Sequence, residues 1–535
     1  MNRNLVKILV GMLMVSMLLS GCSQGPAPAT GASGKQKIVT MAMTAPWDTF
    51  VPFNTTNGNT DVVLELIYDK LTVLNTDGTV KPRLAKSWSI DEATHTKITF
   101  VLNEKAKWHD GTPVTADDVV FTAELMANPD ISVARRSKIA PFTGTKGGVR
   151  DPGKEFGIKA LDKQTVQFTM IEPTGLDYML FIVFRDFYVL PKHLLKDIPV
   201  KSLLSDKFWQ HPIGSGPCKF ESEISGERVQ LTANKDYHLG APDFDRFVVR
   251  IVPESNILSG LINGEVDVVA GASIGNIPLN DWDMAKKQEK LVTKSVPSLG
   301  YQYMSINTKR IPQTVRQAIN MAINRDALVN NLMKGEGLSA PGPLRPDHKY
   351  FNKALLPIPY DVEKAKAMVA ESGFDTSKEY ELRVSKGNSL REKSAPMLQQ
   401  DLAKIGIKVK IVTTDHPTLL TASRKGDYDF ALIGSWGSPD PGESVMNVTP
   451  GHINNFSQLQ DRSLANLGDK GLKAFTFETR KPFYEQYQML LREQVPFTWL
   501  YFPNDLVAYN KQISNLDYTN FTLHNRSVWE WKVAK

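Results

Sequence analysis

Two segments of this chain, far apart in sequence, follow one local plan. In "SNILSGLINGEVDVVAG" (255–271) a helix is stopped by Gly264 and a short apolar strand, "VDVVA", follows. In "LLTASRKGDYDFALIGSWG" (419–437) a helix ends at Gly426, an aspartate enters an apolar strand, and glycine comes next. Glycine closes a helix because it takes the left-handed conformation without a Cβ clash. Two such αβ units predict an α/β fold with two lobes, although the echo is local and not a repeat of fixed period. Between them lie capped helices. "IPQTVRQAINMAIN" (311–324) starts at Pro312 and sets Val315, Ala318, Ile319, Ala322 and Ile323 on one face. "DVEKAKAMVAESG" (361–373) runs from an aspartate cap to a glycine stop, and "SAPMLQQDLAKIGIKVKIV" (394–412) reads helix, Gly406, strand. Residues 75–189 add a further layer.

At 535 residues the chain exceeds what one ordinary core holds, so several domains are expected. Lys and Arg exceed Asp and Glu by six, but the basic residues are interleaved with acids, which gives a nucleic-acid role little support. The start of the chain is more specific. Arg3 and Lys7 precede an apolar run from Ile8 to Leu19, and Leu19-Ser20-Gly21-Cys22 closes it. The run is shorter than the roughly 20 residues a bilayer span needs. This pattern predicts a secretory signal over 1–21 with Cys22 lipidated as the mature N-terminus, and so an extracytoplasmic protein anchored to the membrane. "SQGPAPATGASGKQ" (23–36) is small and polar and predicts a flexible linker over 22–36.

The two cysteines, Cys22 and Cys218, offer no disulfide framework and no CxxC metal spacing. The nine histidines stand singly, without HExxH. No Walker or GxGxxG run joins a strand to a helix, so no cofactor is expected. Asp117 and Asp118 follow Thr115 at a helix start, where acids suit the macrodipole, and read as helix-start chemistry, not a catalytic pair. One catalytic motif fits nominally: Gly271-Ala272-Ser273-Ile274-Gly275 matches GxSxG after a strand. A nucleophile elbow needs a helix directly after the serine, and Gly275, Asn276 and Pro278 break one, so a turn is the better reading. An extracellular hydrolase using Ser273 is the weaker alternative.

In order along the chain, "IYDKLTVLNTDGTVKPRLAKSWSI" (67–90), "ITFVLNEKAKWHDGTPVTADDVVFT" (98–122), "IGSGPCKF" (213–220), "NKDYHLGAP" (234–242), "INGEVDVV" (262–269), "VRQAINMAINRDAL" (315–328) and "LAKIGIKVKI" (402–411) resemble the extracellular solute-binding proteins, family 5, of ATP-driven importers for peptides and nickel. The likeness covers nearly the whole mature chain. Cys218 departs from it, standing where the family usually has an aromatic residue.

The resemblance implies a type II periplasmic-binding-protein fold: two α/β lobes around a ligand cleft, with an additional inserted domain. It divides the chain into a first lobe of 37–74, 190–295 and 506–535, an inserted domain of 75–189, and a second lobe of 296–505. It implies a monomeric receptor, not an enzyme, that captures oligopeptides or dipeptides and hands them to membrane permease subunits driven by cytoplasmic ATPases. The loop "GSWGSPDPG" (434–442) then becomes the ligand loop, with Trp436 and Ser435 on the cleft and Asp440 placed to meet a peptide ammonium. Lys386 and Arg391 occupy the region that would meet a terminal carboxylate. Because Trp-Gly-Ser-Pro also resembles the nickel branch, a receptor for nickel or another metal chelate, with His452 as a contact, is the alternative.

Overall fold

The computed structural model describes residues 36–74, 79–516, 518 and 527–534. The signal, Cys22 and the linker through residue 35 lie outside the described residues. Among those described, no helix is long and apolar enough to cross a membrane.

Ten strands follow one another through a mixed sheet. On one side the order is Cys218–Ile224, Arg228–Ala233, Arg246–Ile251, Ile38–Met43 and Val268–Val269. On the other it is Tyr301–Ile306, Phe430–Ser435, Glu379–Ser385 and Lys408–Thr414. The long strand Phe497–Asn510 joins the halves: Phe497 to Tyr501 pair with the strand Tyr301–Ile306, while Asn504 to Asn510 pair with Leu291–Pro297. The centre of each half is parallel. Ile38–Met43 runs parallel to Arg246–Ile251 and Val268–Val269, and Glu379–Ser385 runs parallel to Lys408–Thr414 and Phe430–Ser435. Parallel strands require helical crossovers, and those helices bury both faces of the sheet.

The αβ units form as their glycines require. Gly264 and Gly426 close their helices at φ 76° and 72°, and the strands that follow are buried. Buried side chains sort into clusters whose membership changes between Val296 and Tyr301 and again between Phe502 and Leu506. The two lobes therefore have separate cores and meet where two chain crossings join them.

Within residues 79–189 a four-stranded antiparallel sheet forms from Ala85–Ile90, Lys97–Leu102, Thr165–Thr169 and Ile158–Ala160. The helix Ala116–Ala127 packs on it behind Thr115, whose N–H donates to Asp118 at 2.8 Å. This is the helix-start role expected of those acids. The chain enters and leaves this region side by side: Lys70 bridges Tyr188, and the Val189 N–H donates to the Asp69 carbonyl at 3.0 Å. A buried charge network fixes the entry. Arg83 reaches Glu65 at 2.7 Å and also Asp69, His238 reaches Asp69 at 2.7 Å, and Lys70 pairs with Glu65. Aromatic side chains of this region, Phe100 and Phe168 among them, run continuously into the core of the first lobe. Cys218 is fully buried in that same core, and burial pushes its thiol pKa up, so it is an unreactive packing residue.

Candidate functional site

In an open parallel sheet, side chains and helix starts converge beyond the carboxyl ends of the strands. In the second lobe three strands end together. Ser435 leads into Trp436, Ser385 into Lys386 and the helix Ser389–Lys404, and Thr414 into Asp415 and His416. In the first lobe, the corresponding ends lead to the segment holding Ser273 and Ile274.

Trp436 joins the two sides. Its side chain is 68% exposed, yet its ring edge lies 4.0 Å from where a Cβ would stand on Gly58, and Ile274 lies 3.4 Å from the same point. A tryptophan of the second lobe thus meets the helix Gly58–Ile67 of the first. Gly437 must be glycine: its φ is +72°, and a Cβ there would come within 2.0 Å of the Leu299 carbonyl in the interlobe crossing. Ser435 accepts the Gly437 N–H at 3.3 Å and hydrogen-bonds the Tyr301 hydroxyl. It holds the loop as well as lining it.

Arg391 lies in the first turn of the helix Ser389–Lys404, capped by Asn388. Its Nε donates to Gln302 Oε1 at 2.6 Å. Gly434 opens the space it occupies, since a Cβ there would stand 2.3 Å from the guanidinium. Among the described residues no carboxylate pairs with Arg391. Burial lowers its pKa, partly offset by Tyr501 and Tyr303. The pKa of the exposed His416 is lowered by burial and by the charges of Arg391 and Arg424. Lys386 is exposed and continues its strand, donating its N–H to the Thr414 carbonyl at 2.8 Å. Arg391 and Lys386 bring two positive charges to this corner, and the Asp415 carboxylate lies within electrostatic range of Lys386.

Asp440 has a different environment from the one expected. Its side chain is 0% exposed. Arg480 grips both oxygens, Nη1 to Oδ2 at 2.6 Å and Nη2 to Oδ1 at 2.9 Å, and the Gly442 N–H adds a third bond at 2.8 Å. Arg480 also donates to the hydroxyls of Tyr350 and Tyr484 and to the Gly471 carbonyl. The expectation of an Asp440 carboxylate meeting a peptide ammonium at the cleft is therefore corrected: the Asp-Pro turn folds Asp440 inward onto an arginine 40 positions away, in no readable motif. His348 seals the network from above, its Nε2 within 3.2 Å of the Pro439 carbonyl, and burial drives its pKa down to about 4.

His452 makes local bonds, its Nδ1 accepting the Asn454 N–H at 3.1 Å. Among the described residues no cluster of three metal-ligating side chains forms. Ser273 has φ 56°, the strained value a nucleophile elbow also shows, but its hydroxyl and N–H both contact the buried Asp505 carboxylate, at 3.3 and 3.0 Å. Asn276 binds the same oxygen at 2.8 Å, so the segment is an aspartate-held turn. Cavities of about 500 and 260 Å³ lie elsewhere in the first lobe and contain none of these residues.

Gln302, Tyr301 and His416 escaped the sequence reading. A glutamine set in the aromatic strand "YQYMSI" was the available signal, but its partner Arg391 lies 89 positions away.

The sequence profile of the bacterial extracellular solute-binding proteins, family 5 (middle region), matches residues 79–455. The chain is 27% identical to the oligopeptide-binding protein AppA of Bacillus subtilis, over 100% of both chains. The crystal structure of the ABC transporter substrate-binding protein CtaP from Listeria monocytogenes superposes with a TM-score of 0.83, at 25% identity, covering 94% of this chain and 100% of that one. NikZ of Campylobacter jejuni, solved with Ni(L-His), superposes at 0.77 and 24% identity, covering 92% and 99%. These matches, together with the two-lobed α/β architecture, make this chain a member of the bacterial extracellular solute-binding proteins, family 5.

Proposed function

We propose that this protein is a lipid-anchored extracellular receptor that encloses short peptides between its lobes and delivers them to an ABC permease, with no chemical step of its own. The observation that carries the peptide reading is Arg391. A half-buried guanidinium with no carboxylate partner is costly to leave unmatched and forms a strong charge-assisted pair with a ligand carboxylate. Gln302 fixes its direction, Lys386 adds positive potential, and Trp436 supplies an apolar wall that reaches the first lobe. Closure about the strand Phe497–Asn510 and the 297–301 crossing would bury the ligand and alter the surface offered to the permease. AppA, a relative spanning the whole chain, is named for oligopeptides. The receptor works as a monomer tethered through Cys22.

The test is binding of a random tripeptide pool to the purified mature chain, beside the same pool amidated at its C-terminus. The expected result is tight binding of the free-acid pool, with amidation weakening it about 10-fold or more. An Arg391→Gln variant should bind both pools equally weakly. Failure of the wild type to bind any peptide, with a nickel–histidine complex binding instead, would move the protein to the chelate branch.

A further inference from the structure

The inserted region touches the second lobe as well as the first. Its segment between the strand Thr165–Thr169 and the buried run Met179–Val183 lies against the turn that joins the helices Ser463–Lys473 and Phe477–Gln494. Gly175 donates its N–H to the Leu472 carbonyl at 2.7 Å, and Leu176 donates to the Phe475 carbonyl at 3.1 Å. His95, between the strands Ala85–Ile90 and Lys97–Leu102, stacks on the Phe475 ring with centroids 4.2 Å apart and planes 2° off parallel. The chain crossings lie elsewhere, so noncovalent contacts alone hold this junction.

The backbone groups involved belong to helix ends. Leu472 is in the last turn of its helix, where carbonyls lack an intrahelical partner, and Gly175 and Leu176 open the short helix Leu176–Tyr178, where N–H groups lack one. Each side supplies what the other leaves open. Water takes either place when the surfaces separate, so these bonds are exchangeable and suit a contact that forms and releases.

The Asp177 side chain ties the contact to the loop 434–442. Its Oδ2 accepts Lys349 Nζ at 2.6 Å and the Tyr350 hydroxyl at 2.8 Å, with Arg480 Nη1 3.9 Å away. Tyr350 in turn accepts Arg480 Nη1 at 3.1 Å, and Arg480 grips Asp440. A continuous path of hydrogen bonds thus runs from the inserted region to the loop. At the loop's end Tyr178 packs on Gly442, its ring 3.3 Å from where a Cβ would stand. Lys473 also pairs with Glu172 at 2.8 Å, but both side chains are more than half exposed, so that pair adds little.

Gly175 shows how closely the surfaces meet. Its φ of −47° is on the side that L-residues adopt, yet a Cβ would stand 2.5 Å from Arg480 Nε, and Asp440 holds that guanidinium in place. The contact, not the backbone, requires glycine there.

We propose that residues 172–178 form a clasp that holds the lobes closed over the ligand, with Asp177 as a positioning residue that acts through Arg480 on the loop 434–442. This rests on the peptide reading and the lobe closure above. The experiment follows a fluorescently labelled random tripeptide pool on the purified mature chain by stopped flow, comparing wild type, Gly175→Ala, Asp177→Asn and Asp177→Glu, with urea midpoints measured on the ligand-free proteins. Gly175→Ala and Asp177→Asn are expected to release peptide about 5-fold faster or more, at unchanged association and unchanged midpoint, and Asp177→Glu to recover part of the slow release. Release at the wild-type rate from both variants overturns the clasp and leaves the peptide reading intact. Midpoints that fall in both variants make the segment an ordinary structural contact and overturn the clasp too. Wild type that binds no peptide overturns both.

Discussion

Two arginines serve the same lobe in opposite ways. Arg480 is completely buried and spends its donors on Asp440, two tyrosine hydroxyls and a backbone carbonyl. Arg391 sits at the strand ends with Gln302 as its side-chain partner and an open face. A buried ion pair with every guanidinium donor answered fixes the local backbone and leaves nothing for a ligand. An unanswered charge at a cleft adds little to the stability of the free protein, and its interaction is available to whatever arrives. Completion of the hydrogen-bond shell, not charge, separates the structural arginine from the one proposed to meet the ligand.

The largest effect expected from breaking this comparison is on the completed side. Asp440→Asn strips the charge from a pair that is fully out of water and leaves buried Arg480 with only the Asp177 carboxylate, 3.9 Å away, as a counter-charge. Loss of one partner of such a pair costs about 3–5 kcal/mol, to be read as a fall in the urea midpoint. Folded Asp440→Asn protein should still bind the free-acid peptide pool. Loss of that binding with unchanged stability would return a ligand role to Asp440.

His348 gives the same side a pH signature. Its folded pKa of about 4 lies below the unfolded value of 6.5, so below pH 6.5 the unfolded chain binds the proton and the native state does not. Stability contributed by the neutral ring is fully present above pH 6.5. It is lost as pH falls from there toward 4, at up to about 1.4 kcal/mol per pH unit. Unfolding midpoints measured at pH 7, 5.5 and 4.5 should fall more steeply for the wild type than for His348→Gln.

Arg391→Met should do the reverse of Asp440→Asn. Removing a charge that has no ionic partner should change the unfolding free energy by no more than about 0.5 kcal/mol, while free-acid peptides lose about 10-fold in affinity. A large loss of stability would show that Arg391 is a structural arginine after all.

This contrast also marks how far the sequence could be read. Gly264 and Gly426 announced the two αβ units because helix termination is a local event, decided by the φ of one residue. Asp118 was legible as a helix-start acid for the same reason, its partner being three residues away. Asp440 was misplaced because its partner Arg480 is brought to it only when the helix Phe477–Gln494 packs. Arg391 was singled out by position alone. The partners that define it, Gln302 and Gly434, come from strands far away in sequence that become neighbours only in the sheet. Trp436 lay between these cases: an aromatic among glycines after an apolar strand is locally conspicuous, but only folding brings it to Gly58.

Trp436 supplies the smallest effect and the most discriminating one. At 68% exposure its removal forfeits little burial, so Trp436→Ala should shift stability by less than about 0.5 kcal/mol. As a wall touching the first lobe, it should matter more in the closed, liganded state than in the open one. Ligand dissociation should therefore speed up several-fold while association barely changes, measured by stopped-flow tryptophan-independent reporting from a labelled peptide. Equal slowing of association and no change in dissociation would place Trp436 at the entrance instead, where it guides the peptide in but does not hold it.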